Sequence, residues 1–132
     1  MNGTALLTAY ETKSYDLSSY GIDNGWLADS GFQEIDIETG NLIFSWRASD
    51  HFSTNDSYAD PGSTGSSQSS PYDFFHINSI ERDASGNYLI SSRHTHSISY
   101  VNGTNGDVIW ILGGKLNQFK DNSDGNATNF AW

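Results

Sequence analysis

The chain has 132 residues, of which 36% are hydrophobic and 14% aromatic, and a formal charge of −10 from 16 acids against 6 bases. That length fits one ordinary domain, and the acidic balance opposes phosphate backbones and anionic membrane surfaces, whose affinity comes from clustered Lys and Arg. With no cysteine there is no disulfide framework, thiolate metal site or cysteine nucleophile. An anionic small molecule is repelled only at long range, because exposed charges beyond about 10 Å are screened. Gly, Ser, Asn and Asp are abundant, which suits many turns and few helices, so the predicted class is all-β. The core is expected to rest on Trp, Tyr and Phe.

In chain order, Ala5–Tyr10 reads as a strand and Glu11–Asn24, lacking a clean period, as a long loop. A second strand is predicted from Trp26 through Ile37, where Phe32-Gln33-Glu34-Ile35 alternates in period two. A turn at Glu38-Thr39-Gly40-Asn41 leads to Leu42–Arg47, bulky on both faces and therefore expected to be covered on both. The run from Ser53 to Ser70 is rich in Ser and Gly and reads as a flexible insertion.

From Phe75 to Leu112 four runs rich in β-branched and aromatic residues are separated by turn residues, the form of a four-stranded antiparallel meander. Residues 35–44 align with residues 101–110, turn on turn and strand on strand, at an offset of 66. Such a repeat predicts blades of a β-propeller. The expected organisation is a partial blade with a long loop over 1–52, the insertion over 53–71, a complete blade over 72–114 and the start of a further blade over 115–132. Less than two blades cannot close a ring, so the chain reads as a piece of a larger protein. No apolar run approaches the roughly 18 to 20 residues of a membrane span, and no signal peptide opens the sequence. Sequons at Asn2, Asn55, Asn102 and Asn126 nevertheless favour a secretory route and glycosylation.

Three of the four histidines lie in the meander region. Blade topology puts the start of its first strand, at His76, on the same face as the loop Arg93–His96 and the Gly113-Gly114-Lys115 exit. Three readings of this cluster stay open. His76, Arg93, Asn78, His94 and His96 can handle an oxyanion, with Arg giving a fork of donors and His a donor or nucleophilic nitrogen. His76, His94 and His96 can bind a metal, the two of His-x-His pointing the same way on a strand. Or His94 and His96 are turn residues, and Arg93 pairs with an acid such as Asp73. His51 reads as a loop residue, and Trp26, Trp46 and Trp110 as packing residues. Asp121–Gly125 approaches a calcium loop but has no closing Glu.

The run Tyr72-Asp73-Phe74-Phe75-His76-Ile77-Asn78-Ser79-Ile80, the turn Asp83–Gly86, Leu89–His96 and Ile109–Gly114 together resemble the arylsulfotransferase (ASST) family in its fungal branch. Gly25-Trp26-Leu27, Phe32–Gly40 and Trp46 resemble its preceding blade. The resemblance implies a six-bladed propeller with its site in the central channel. It implies sulfuryl transfer from an aryl sulfate to a phenol through a sulfohistidine, with no cofactor. His76 and Arg93 match a histidine and an arginine of the family, giving both the role of holding the sulfuryl oxygens, with Asn78, His94 and His96 beside them as substrate-binding residues. The family's nucleophilic histidine lies further along, and no His follows His96 here. The alternative is a secreted propeller that binds without turnover. The expected partners are small aryl sulfates and phenols, not nucleic acid or a membrane.

Overall fold

A computed structural model describes residues 3–124. Among these the chain is all-β, with seven strands in two antiparallel sheets, three short 3-10 turns and no α-helix. The first sheet is the meander β1 (Thr4–Leu17), β2 (Ile22–Asp36) and β3 (Leu42–Arg47). The second is the meander β4 (Ile77–Arg82), β5 (Tyr88–Ser92), β6 (Ser97–Val101) and β7 (Val108–Gly113). The predicted four-stranded meander is therefore present. Its first strand begins at Ile77 and not at Phe75, because His76 takes a left-handed φ of 57° that an extended strand cannot hold.

The first sheet corrects two expectations. Glu11–Asn24 is not a loop: β1 continues to Leu17, turns through Ser18–Tyr20 and returns as β2 from Ile22, in register from Thr4↔Asp36 to Tyr15↔Gly25. β1 is an edge strand, largely exposed on both sides, and so shows no alternation of apolar and polar residues. Nor is β3 covered on both faces. Leu42 and Ile43 are half exposed, and only Phe44 and Trp46 turn inward.

The Ser- and Gly-rich stretch after Phe52 is bonded into the fold at several points. Ser53 and Asp56 form a capping box, the Tyr58 amide donates to the His94 carbonyl at 2.7 Å, and the Trp26 amide donates to the Gly65 carbonyl at 2.8 Å. Tyr72 then runs alongside β2, exchanging backbone bonds with Trp26 and Ala28. Its buried hydroxyl donates to the Ala59 carbonyl, and burial is the main cause that pushes that hydroxyl up to about 12.

Between the sheets lies an aromatic seam. Tyr88 of β5 meets Phe32 at 4.9 Å and stacks on Phe44 at 4.7 Å, while Phe75 reaches Phe52 at 4.8 Å and Trp46 at 5.9 Å. Pairs of this kind add about 0.5–1.5 kcal/mol each beyond the area they bury. The period of two that points Phe32 inward points Glu34 inward as well, and its side chain is only 1% exposed. Burial pushes this carboxyl up, but the hydroxyls of Thr4 and Tyr88 and the charge of Arg82 outweigh it and hold the carboxyl below its usual range. Tyr88 donates its hydroxyl hydrogen to Glu34, and Arg82 Nε lies 3.4 Å away. One carboxylate thus ties β2 to β4 and β5.

Because the folded pKa of Glu34 is lowered, its stabilisation is complete above the unfolded value of about 4.3 and is lost as pH falls through the lower folded one. Asp36 and Asp83 are lowered too, by bonds from Thr39 and from Tyr100, and act in the same direction. Denaturant melts are expected to show constant stability between about pH 7 and pH 5 and a loss below about pH 4. Tyr88→Phe is expected to cost about 1–3 kcal/mol at pH 7 by removing a bond to a buried charge. It should also flatten the acid limb of the same melts.

Candidate functional site

Two turns build the site, and backbone bonds lace them together. The Arg93 amide donates to the His76 carbonyl at 2.9 Å and the His94 amide to the Phe75 carbonyl at 3.1 Å, while the buried Ser92 hydroxyl also donates to Phe75. From the first sheet, the buried Ser30 hydroxyl accepts the Ile77 amide at 3.0 Å. His76 is pinned between these bonds in a left-handed conformation that costs a non-glycine residue about 1 kcal/mol and persists only where the surroundings fix it.

Asp73 organises the side chains. Its carboxylate lies 2.6 Å from His76 Nδ1, and its backbone carbonyl lies 2.7 Å from His94 Nδ1. A carbonyl and a carboxylate can only accept, so both imidazoles carry their proton on Nδ1 toward Asp73. Neither Nε2 has a hydrogen-bond partner among the described residues, and the two rings lie 5.2 Å apart. The other carboxylate oxygen, Asp73 Oδ1, is buried without a partner. Tyr10, paired with Ser30 across β1 and β2, sets its ring 6.2 Å from His76. Burial first, and the Asp73 charge second, raise the Tyr10 pKa, so the phenol stays a donor at neutral pH.

The remaining predicted residues divide. Arg93 is exposed, and its guanidinium has no hydrogen bond or ion pair among the described residues; Asp73 pairs with His76 and not with it. Asn78 is the extra residue of a β-bulge, because β4 and β5 pair Ile77↔Ser92 and then Ser79↔Ser91. It is exposed, two residues after His76 in the chain. His96 leaves the group. Residues 93–96 form a turn, not a strand, so the two histidines of His-x-His diverge: His94 faces Asp73, and His96 stacks on Tyr58 at 4.4 Å. The expectation that His76, His94 and His96 could share one metal fails on that geometry.

Gly114 packs against the same turn. A Cβ there would stand 2.2 Å from the Thr95 carbonyl, and its φ is +67°. Lys115 Nζ then donates to the carbonyls of Asn55 and Ser57 and lies 5.0 Å from the Tyr58 ring centre. Trp46 is buried as expected, stacks on His51 and donates to the Gly106 carbonyl at 3.0 Å. Trp26 and Trp110 are only half-buried. Of the sequons, Asn55 is exposed, and Asn102 is half-buried with its Oδ1 accepting the Thr104 amide at 2.8 Å. Asn2 and Asn126, with Gly125 at the end of the near-calcium loop, lie outside the described residues.

Sequence reasoning left out Tyr10 and Ser30, and the one reading that paired Asp73, with Arg93, gives way to its contact with His76. The spacing Asp73-x-x-His76 in a turn was the available signal for the last of these, since residues three apart face each other there.

A family model described as Arylsulfotransferase (ASST) matches residues 1–132. No curated protein and no solved structure matches the chain.

Long-range 15N–1H spectra of the imidazoles are expected to show His76 and His94 protonated at Nδ1 in the neutral form. In Asp73→Ala both tautomers should be populated at His76, while His96 is unchanged. A His76 ring that keeps the same tautomer without the carboxylate would show that Asp73 does not set it.

Proposed function

The chain belongs to the arylsulfotransferase (ASST) family, and from that premise we propose that it forms part of a propeller enzyme transferring a sulfuryl group from an aryl sulfate to a phenol. The reading rests on one observation above others: an imidazole fixed by a carboxylate, His76, stands at the same laced pair of turns as an exposed arginine with no ion-pair partner among the described residues, Arg93. A sulfuryl group presents three oxygens that share its negative charge, while further charge develops on the leaving phenolate as its bond to sulfur breaks. The Arg93 fork and, in the doubly protonated ring, the His76 Nε2–H are suited to hold those oxygens, with Asn78 and His94 beside them.

In the proposed reaction an imidazole nitrogen attacks sulfur, the sulfur–oxygen bond to the aryl group breaks, and the phenolate leaves. The acceptor phenol then gives up its proton, its oxygen attacks the same sulfur, and the nitrogen–sulfur bond breaks. The family resemblance puts that nucleophilic histidine beyond the stretch matched by His76 and Arg93. These residues therefore supply the oxyanion-holding half of the site. The two sheets are read as neighbouring blades of the fungal branch, and Asn2, Asn55, Asn102 and Asn126 as glycan acceptors on a secretory route. Among the described residues no helix is long and apolar enough to cross a membrane.

The test is sulfuryl transfer from 4-nitrophenyl sulfate to phenol by the protein in its full-length form. His76→Ala and Arg93→Ala are each expected to lower turnover by about 100-fold with the melting curve retained. Unchanged turnover in both variants would overturn the assignment. Saturable binding of the aryl sulfate with no turnover in the parent protein would instead support a propeller that binds without catalysis.

A further inference from the structure

The group that the histidines form with Asp73 goes beyond sulfuryl transfer. Asp73, His76 and His94 each offer a ligand atom, and these atoms lie within 4.8 Å of one another. Two imidazoles and one carboxylate are a donor set suited to first-row transition metals, zinc among them. Tetrahedral zinc with bonds of about 2.0–2.2 Å needs its ligand atoms about 3.3–3.5 Å apart. Reaching that spacing requires the side chains to rotate, with His76 opening from its 2.6 Å contact with Asp73.

Three further observations point to a cation. Asp73 Oδ1 is buried without a hydrogen bond of good geometry, the Tyr10 phenol being the donor group near the carboxylate, and a cation held by both carboxylate oxygens would supply what is missing. His76 Nδ1 faces the Asp73 carboxylate and His94 Nδ1 faces the Asp73 backbone carbonyl, so both rings turn the same nitrogen toward one residue, and a shift of each ring proton to Nε2 frees a lone pair there. The His76 and Asp73 side chains are 35% and 27% exposed, which leaves an ion a path from solvent. His96, stacked on Tyr58, stays outside the group.

We propose that Asp73, His76 and His94 form a binding site for a divalent transition metal such as zinc, in which the ion replaces the proton between His76 Nδ1 and Asp73 and also takes His94 Nδ1. Three protein ligands leave one coordination position for water or a small oxyanion.

Zn2+ titration of the full chain by calorimetry, with circular dichroism melts as a fold control, tests this without any assay of turnover. One ion per chain is expected, with affinity falling at least about tenfold in His76→Ala, in His94→Ala and in the near-isosteric Asp73→Asn, and unchanged in His96→Ala. The imidazole 15N shifts of His76 and His94 should move from Nδ1–H to metal-bound Nδ1 with the proton on Nε2. The proposal is overturned by the absence of saturable binding, by affinity unaltered in all three site variants, or by zinc signals on other histidines. Because the readout is binding, its failure leaves the sulfuryl-transfer reading standing, and the loss of that reading leaves the metal site standing.

Discussion

Two adjacent carbonyls, those of Phe75 and His76, hold the turn before β4 to the turn after β5 by accepting the amides of His94 and Arg93. Everything chemically notable in the molecule depends on that lacing. It brings residues 17 and 19 positions apart in sequence to one place, and it forces His76 into a left-handed backbone that no isolated histidine prefers. The Ser30 hydroxyl bonded to the Ile77 amide then anchors the first turn to β2, so the site is assembled from both sheets. Asp73 completes the arrangement with two acceptors, one for each histidine.

The two sheets stay in that relation through a seam that is aromatic and, at one point, ionic. Rings of β2, β3 and β5 interlock at Phe32, Phe44 and Tyr88, and Glu34 sits in the same inward row. A buried carboxylate is stabilising only when its partners are in place, and here Tyr88 and Arg82 come from the opposite sheet. The seam is thus directional: apolar stacking brings the sheets together, and the Glu34 cluster fixes which residues face one another.

The second sheet was legible because its strands alternate and its turns carry Gly, Asn and Asp at short intervals; all four of its strands begin within the stretch read as a meander. The β1–β2 hairpin was not, because an edge strand exposed on both faces has no periodicity to read. Leu42 and Ile43 misled for the opposite reason, being apolar yet half exposed at the start of β3. At the site, the meander topology alone set His76 beside Arg93 and His94. What it could not supply was side-chain direction within a turn, where there is no alternation to say that His94 and His96 part company or that Asp73 turns toward His76. Glu34 was hidden likewise, since an acid in an alternating strand is ordinarily read as facing solvent.

The central claim is that Asp73 and the laced turns prepare His76 and Arg93 to receive a tetrahedral oxyanion. A crystal structure of the protein soaked with vanadate or an unreactive aryl sulfonate tests it most directly. The account predicts an anion oxygen within roughly 2.7–3.2 Å of His76 Nε2 and of the Arg93 guanidinium, with the His76–Asp73 contact preserved. An anion seated elsewhere, with His76 still paired to Asp73 and Arg93 still in solvent, would contradict it.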